Sequence, residues 1–173
     1  VYEASRSPEN TELVLGRFGM ARPDHLETAV PRLQTGFAKW RDRDPGERVA
    51  LLYRVADRIE LERAELAALM VMESGKPWLE ADADVAEAID FCRYYALQAA
   101  RLFEPESLCP FDGEEDTHFY EPRGLVAVIG PWNFPLAIPC GMFSAALVTG
   151  NAPILKPAEQ STLVASRMFQ LFL

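Results

Sequence analysis

The sequence predicts an α/β protein: a helical front section with short strands, residues 1–120, leading into the first βαβ units of a parallel sheet, residues 121–173. Three observations carry this. The run Gly124-Leu125-Val126-Ala127-Val128-Ile129-Gly130 is apolar, of strand length, and ends in a Gly-Pro break, as expected of a strand buried on both faces of a parallel sheet. Residues 136–149 are apolar and small and read as a buried helix, closed by Gly150-Asn151, two residues that tolerate a left-handed backbone. Pro153-Ile154-Leu155-Lys156-Pro157 then gives a second short strand. Two parallel strands joined by a helix imply a right-handed crossover. That places Asn133, just past the first strand, beside Lys156 at the end of the second, where open α/β sheets bind ligands.

The elements follow in order. Residues 11–18 suggest a short strand. A helix is expected from about Asp24 to Trp40, with Val30, Leu33 and Phe37 on one face and Pro31 kinking or breaking it, since proline lacks the N–H and clashes one turn back. Pro45 opens the next helix, where a first-turn N–H has no partner to lose. Leu52, Val55, Ala56 and Ile59 repeat at helical spacing, and Leu66, Leu69 and Met70 continue the pattern to Gly75. Pro77 opens a long helix to about Phe103. Its first half carries Glu80, Asp82, Asp84 and Glu87, which the positive end of a helix dipole favours. Residues 104–116 read as a Pro-, Gly- and acid-rich loop, and Thr117 to Tyr120 as a strand. After the second core strand, Ser161 is placed to cap a helix over 162–173.

At 173 residues the chain can fill one domain or one and a half, and 49% apolar with 25% charged residues is ordinary for a soluble globular protein. The net charge of −9 is uneven: residues 1–120 hold 14 Lys and Arg against 24 Asp and Glu, and residues 121–173 hold three against two. The last third is thus expected to be buried core and the first two thirds a solvated acidic shell. Such a shell argues against nucleic acid, which needs a basic footprint, and against anionic membrane surfaces. The apolar runs are too short for membrane insertion, and no signal peptide is visible. Cys92, Cys109 and Cys140 are odd in number and lack metal spacing, which points to a reducing, cytoplasmic compartment without disulfides. His25 and His118 stand far apart in sequence, which disfavours a histidine-based metal site or triad.

Residues 121–160, from Glu121-Pro122-Arg123-Gly124 through Pro131-Trp132-Asn133-Phe134-Pro135 to Lys156-Pro157-Ala158-Glu159-Gln160, resemble the NAD(P)-dependent aldehyde dehydrogenase superfamily. Glu73-Ser74-Gly75-Lys76-Pro77 matches that family's Gly-Lys-Pro turn. The stretch from Glu80 to Phe91 resembles one branch, the 1-pyrroline-5-carboxylate (glutamate semialdehyde) dehydrogenases, which includes the corresponding part of bifunctional proline-utilisation proteins. The resemblance covers roughly residues 10–173. It implies the N-terminal part of the aldehyde dehydrogenase fold, NAD as cofactor, a small-molecule aldehyde as substrate and a homo-oligomer when intact. The branch implies oxidation of glutamate semialdehyde to glutamate. Another aldehyde, or a noncatalytic binding or assembly role, are the alternatives. The Gly-x-Gly-x-x-Gly fingerprint is absent, which this family accommodates because it binds the cofactor differently on a related sheet.

The resemblance gives Asn133 the catalytic role. Aldehyde oxidation through a thiohemiacetal needs a donor aimed at the oxygen as it gains negative charge, and one such fixed donor is typically worth ~3–4 kcal/mol of barrier. The plainer alternative is an amide that satisfies loop backbone groups. Lys156 and Glu159 are expected on the adenosine ribose, the carboxylate accepting from the 2′-hydroxyl and repelling a 2′-phosphate, hence NAD over NADP; the alternative is a surface ion pair. Ile129, Gly130, Pro131, Trp132 and Ala158 complete the expected cofactor contacts. Glu87 is a candidate partner for a substrate ammonium, against the alternative of a solvated helix face. None of the three cysteines matches the family's nucleophile: Cys140 and Cys92 read as packing, and acids around Cys109 would raise its pKa. The general-base glutamate is likewise missing. The chain is therefore expected to be an N-terminal fragment of a larger enzyme, inactive alone, whose incomplete sheet leaves an open edge.

Overall fold

The computed structural model describes residues 1–108 and 111–173; Cys109 lies outside the described residues. The chain runs β1 (Tyr2–Arg6), β2 (Val14–Gly19), α1 (Pro23–Arg41), α2 (Pro45–Leu61), α3 (Arg63–Ser74), α4 (Trp78–Leu102), β3 (Glu106–Ser107), β4 (Thr117–His118), β5 (Leu125–Ile129), α5 (Ala137–Val148), β6 (Ala152–Lys156), a single 3₁₀ turn (Glu159–Ser161) and α6 (Thr162–Leu171). Among the described residues the strands pair in twos: β1 with β2 and β3 with β4 antiparallel, β5 with β6 parallel. The expected βαβ unit is present, each end within two residues of its sequence-based position.

Elsewhere the structure departs from the pattern. The expected strand over 11–18 forms as β2, and β1, which the sequence did not announce, pairs with it. Within the expected loop 104–116, Glu106 and Ser107 pair with Thr117 and His118. Helix α1 passes through Pro31 without a break. The carbonyl that loses its partner there belongs to exposed Glu27 and faces solvent, and Thr35 Oγ donates to the Pro31 carbonyl at 3.1 Å. The continuous apolar pattern from Leu52 to Met70 is two helices, since the backbone turns at Glu62 (φ −100°, ψ 14°). After the turn α3 packs on both α4 and α6.

The expected division into acidic shell and buried tail does not hold. Leu52, Val55 and Ile59 of α2, Leu66 and Met70 of α3, and Val85, Ile89 and Cys92 of α4 are buried in one cluster with Leu136, Cys140, Val148 and Met168. Each large side chain so buried contributes about 1.5–3 kcal/mol. Most acids of the front section are exposed, on outer helix faces or in the loops and short strands, which is why net charge misled; Glu73 and Asp84 are buried. No helix among the described residues is long and apolar enough to cross a membrane.

Buried helix ends need partners for their free N–H and C=O groups, and here they come from distant side chains. At the carboxyl end of α5, Arg48 Nε donates to the Val148 carbonyl at 3.0 Å and Trp40 Nε1 to that of Leu147 at 2.9 Å. Burial lowers the Arg48 pKa, and its guanidinium also covers the Phe103 ring. At the amino end of α6 the expected Ser161 cap is not used: its side chain makes no capping bond. The Glu73 carboxylate instead accepts the Leu163 and Val164 N–H groups, both at 2.9 Å.

Candidate functional site

The site follows from the β5–β6 register. Ile129 stands opposite Lys156, and the Gly130 N–H donates to the Lys156 carbonyl at 3.0 Å. The turns after the two strands, 130–136 and 157–161, therefore leave the sheet side by side. Gly130 is required by space: a Cβ there would sit 2.6 Å from Pro139 Cγ, so only glycine lets the strand end lie on the first turn of α5.

In the first turn, Trp132, Asn133 and Phe134 are exposed, while Pro135 and Leu136 are buried beneath them. Among the described residues the Asn133 side-chain amide makes no hydrogen bond, and its backbone carbonyl accepts from Lys76 Nζ at 3.0 Å. The loop is thus held through its main chain, and the amide is left free to donate outward.

Lys76 and Asp84 hold this turn from below. Lys76 Nζ is 2.7 Å from Asp84 Oδ2 and 4.0 Å from the centroid of the Phe134 ring. Asp84 Oδ1 accepts the Ala137 N–H at 2.6 Å and so caps α5. Both side chains are buried. Neither was singled out from sequence as a site residue, although Lys76 stands in the recognised Gly-Lys-Pro turn. Asp84 looked like one more acid in a run of them.

In the second turn, Lys156 and Glu159 are both solvent-exposed and 3.6 Å apart. The Glu159 carboxyl lies below its usual range, first because its own backbone amide bonds it and then because Lys156 is near. An exposed pair of this kind adds little stability, so the structure needs neither side chain for its fold. Ile129 and Trp132 also expose most of their surface, whereas Ala158 is buried and its carbonyl accepts the Ser161 N–H.

Glu87 is exposed on α4, one turn beyond Asp84 and one before Phe91. Asp84 touches Ala137, and the Phe91 ring meets Gly141, so Glu87 shares the α4 face that borders the start of α5. Cys92 and Cys140 are fully buried, their sulfurs 3.5 Å apart. The Cys140 thiol is pushed well above its usual pKa by its bond with Cys92, by burial and by the nearby charge of Asp84. That is the environment of an inert packing thiol and the reverse of what a nucleophile needs.

The model of the aldehyde dehydrogenase family matches residues 3–173. Among curated proteins, the 1-pyrroline-5-carboxylate dehydrogenase of Bacillus licheniformis is 42% identical over 167 residues, which are 96% of this chain and 32% of that protein. The 1-pyrroline-5-carboxylate dehydrogenase 2 of Bacillus subtilis is 41% identical with the same coverage. Among solved structures, proline utilization A from Bdellovibrio bacteriovorus superposes with a TM-score of 0.97 at 41% identity, covering 99% of this chain and 18% of that one. The Thermus 1-pyrroline-5-carboxylate dehydrogenase with bound NAD superposes at 0.96 with 39% identity, covering 99% and 34%. The chain thus spans about a third of the length of the curated relatives it matches. By sequence over almost its whole length and by the arrangement of its two strand-end turns, the chain belongs to the aldehyde dehydrogenase family.

Proposed function

We propose that the protein carrying this chain is an NAD-dependent 1-pyrroline-5-carboxylate dehydrogenase, which oxidises glutamate semialdehyde to glutamate. The observation that carries the reading is the register of β5 on β6, which puts the free Asn133 amide and the exposed Lys156 and Glu159 at one end of one sheet. Two relatives of about 40% identity bear the name 1-pyrroline-5-carboxylate dehydrogenase, and a solved relative of that name holds NAD.

The residues present suit the cofactor. Lys156 and Glu159 do no work for the fold, and both stand exposed where the strand ends. In this reading Lys156 Nζ and the Glu159 carboxylate hold the adenosine ribose hydroxyls, with Ile129, Gly130, Pro131, Trp132 and Ala158 lining that side. A carboxylate there disfavours a 2′-phosphate by like-charge repulsion. NAD, when bound, supplies the hydride acceptor. Asn133 donates its side-chain N–H to the aldehyde oxygen as negative charge develops there, and because the loop is already fixed this needs no reorganisation. Glu87, on the face beside the start of α5, pairs with the substrate ammonium. The buried Cys92 and Cys140 thiols are unsuited to attack, and Cys109 stands in an acid-rich stretch of sequence that disfavours a thiolate, so in this reading the nucleophile is none of the three and belongs to another part of the protein. Residues 1–120 then act as the helical front of a cofactor-binding domain that opens at residue 121. We place the protein in the cytoplasm, where such thiols stay reduced. We also infer self-association, for which the exposed aromatic surface of Phe111, Phe119 and Tyr120 is available.

The test is NADH formation by the complete protein, with pyrroline-5-carboxylate and with acetaldehyde, under NAD and then NADP. Strong preference for pyrroline-5-carboxylate with NAD is expected. Equal or better oxidation of acetaldehyde would overturn the substrate assignment, and equal use of NADP would overturn the role of Glu159.

A further inference from the structure

The two strand-end turns rest on one short segment. Helix α3 ends at Ser74, and Gly75 takes a left-handed conformation (φ 66°), which non-glycine residues reach only at a cost of roughly 1–2 kcal/mol. The reversal there sends Glu73 and Lys76, both buried, toward different partners. Glu73 accepts Ser5 Oγ at 2.7 Å and the two first-turn amides of α6. Lys76 reaches the Asn133 carbonyl and, through Asp84, the first amide of α5. The helix that follows each strand-end turn is thus anchored at its amino end by a buried carboxylate, one on this segment and the other paired with it.

We propose that residues 73–76, with Asp84, form a positioning bracket with two separable arms. Lys76 and Asp84 set the direction of the Asn133 amide and hence the rate of the chemical step. Glu73 sets α6 and with it the Lys156–Glu159 turn, and hence cofactor binding. These are positioning residues, since none of them touches substrate. The role of each arm rests on the functional reading above, and the physical separation of the two arms does not. A shift of about 1 Å in a reacting group can cost on the order of 100-fold in rate, whereas solvated ribose contacts tolerate such a shift.

The test uses the complete protein with Lys76→Met and Glu73→Gln, reading kcat, KM for NAD and amide hydrogen exchange. Lys76→Met is expected to lower kcat by about 10- to 100-fold, to leave KM for NAD within about 3-fold, and to speed exchange over residues 132–138 only. Glu73→Gln is expected to raise KM for NAD by about 3- to 10-fold, to leave kcat within about 3-fold, and to speed exchange at 163–164 only. If Lys76→Met does not fold, Asp84→Asn carries the same test, because its amide oxygen still accepts the Ala137 N–H. An unchanged kcat in the Lys76 variant, or equal changes in kcat and KM in both variants, overturns the bracket. If the wild-type protein oxidises no aldehyde, the functional reading fails, and the exchange pattern alone decides whether the arms are separate.

Discussion

The two turns after β5 and β6 leave the same sheet edge, yet they are built in opposite ways. The first is fixed from beneath by a buried ion pair and shows the solvent a side-chain amide that makes no hydrogen bond among the described residues. The second displays an ion pair whose members are both more than half exposed, and only the helix after it is held by a buried group. The contrast fits the two roles proposed for these turns. A group that stabilises charge during a reaction must be in place beforehand, because the gain depends on avoiding reorganisation. A group that binds hydroxyls in partly solvated surroundings can adjust as the ligand arrives.

The comparison can be broken at either turn. The largest effect is expected from Asn133→Ala, which removes an exposed donor and no hydrogen bond found among the described residues: kcat should fall by about 100- to 1,000-fold with an unchanged melting temperature. A parallel loss of stability would show that the amide serves the loop instead. Gly130→Ala comes next and tests what joins the turns. Its Cβ would meet the Pro139 ring at 2.6 Å, a backbone-coupled overlap that should destabilise by about 1–3 kcal/mol and disturb both turns together. Denaturant unfolding measures the first effect, and joint changes in kcat and KM for NAD report the second.

The smallest effect belongs to Glu159. Its carboxyl is held below the ordinary glutamate value of 4.5, so the charged acceptor persists as pH falls to that value and is lost only as pH drops through the lowered one. Cofactor affinity should therefore be flat from neutral pH down to about 4.5, while Glu159→Gln should weaken NAD by a few-fold at most and narrow the preference over NADP. Titrating cofactor affinity against pH in wild type and variant checks both. A decline beginning near neutral pH would assign the dependence to another group.

The sequence by itself determined the βαβ unit and which exposed residues stand at its strand ends. Apolar runs of strand and helix length mark the elements, Gly150 and Pro131 punctuate them, and Asn133, Lys156 and Glu159 sit at fixed distances along one chain from the strands that carry them. The runs did not tell burial, since α5 is buried while β5, expected to be covered on both faces, leaves Ala127 and Ile129 exposed. What holds those residues in place was decided only by tertiary structure. Asp84 is one acid among several on α4, and Glu73 ends an ordinary amphipathic helix. Their partners lie 53 residues away in one case and 90 and 91 in the other. The same is true of Arg48, which reads as a surface cation until α5 ends against it, and of Pro31, whose lost hydrogen bond matters little because it faces water. Local pattern reports which faces of a helix avoid water. It does not report which buried amide or carbonyl each face will meet, because that depends on how distant elements cross, and a buried polar group must be satisfied wherever they do.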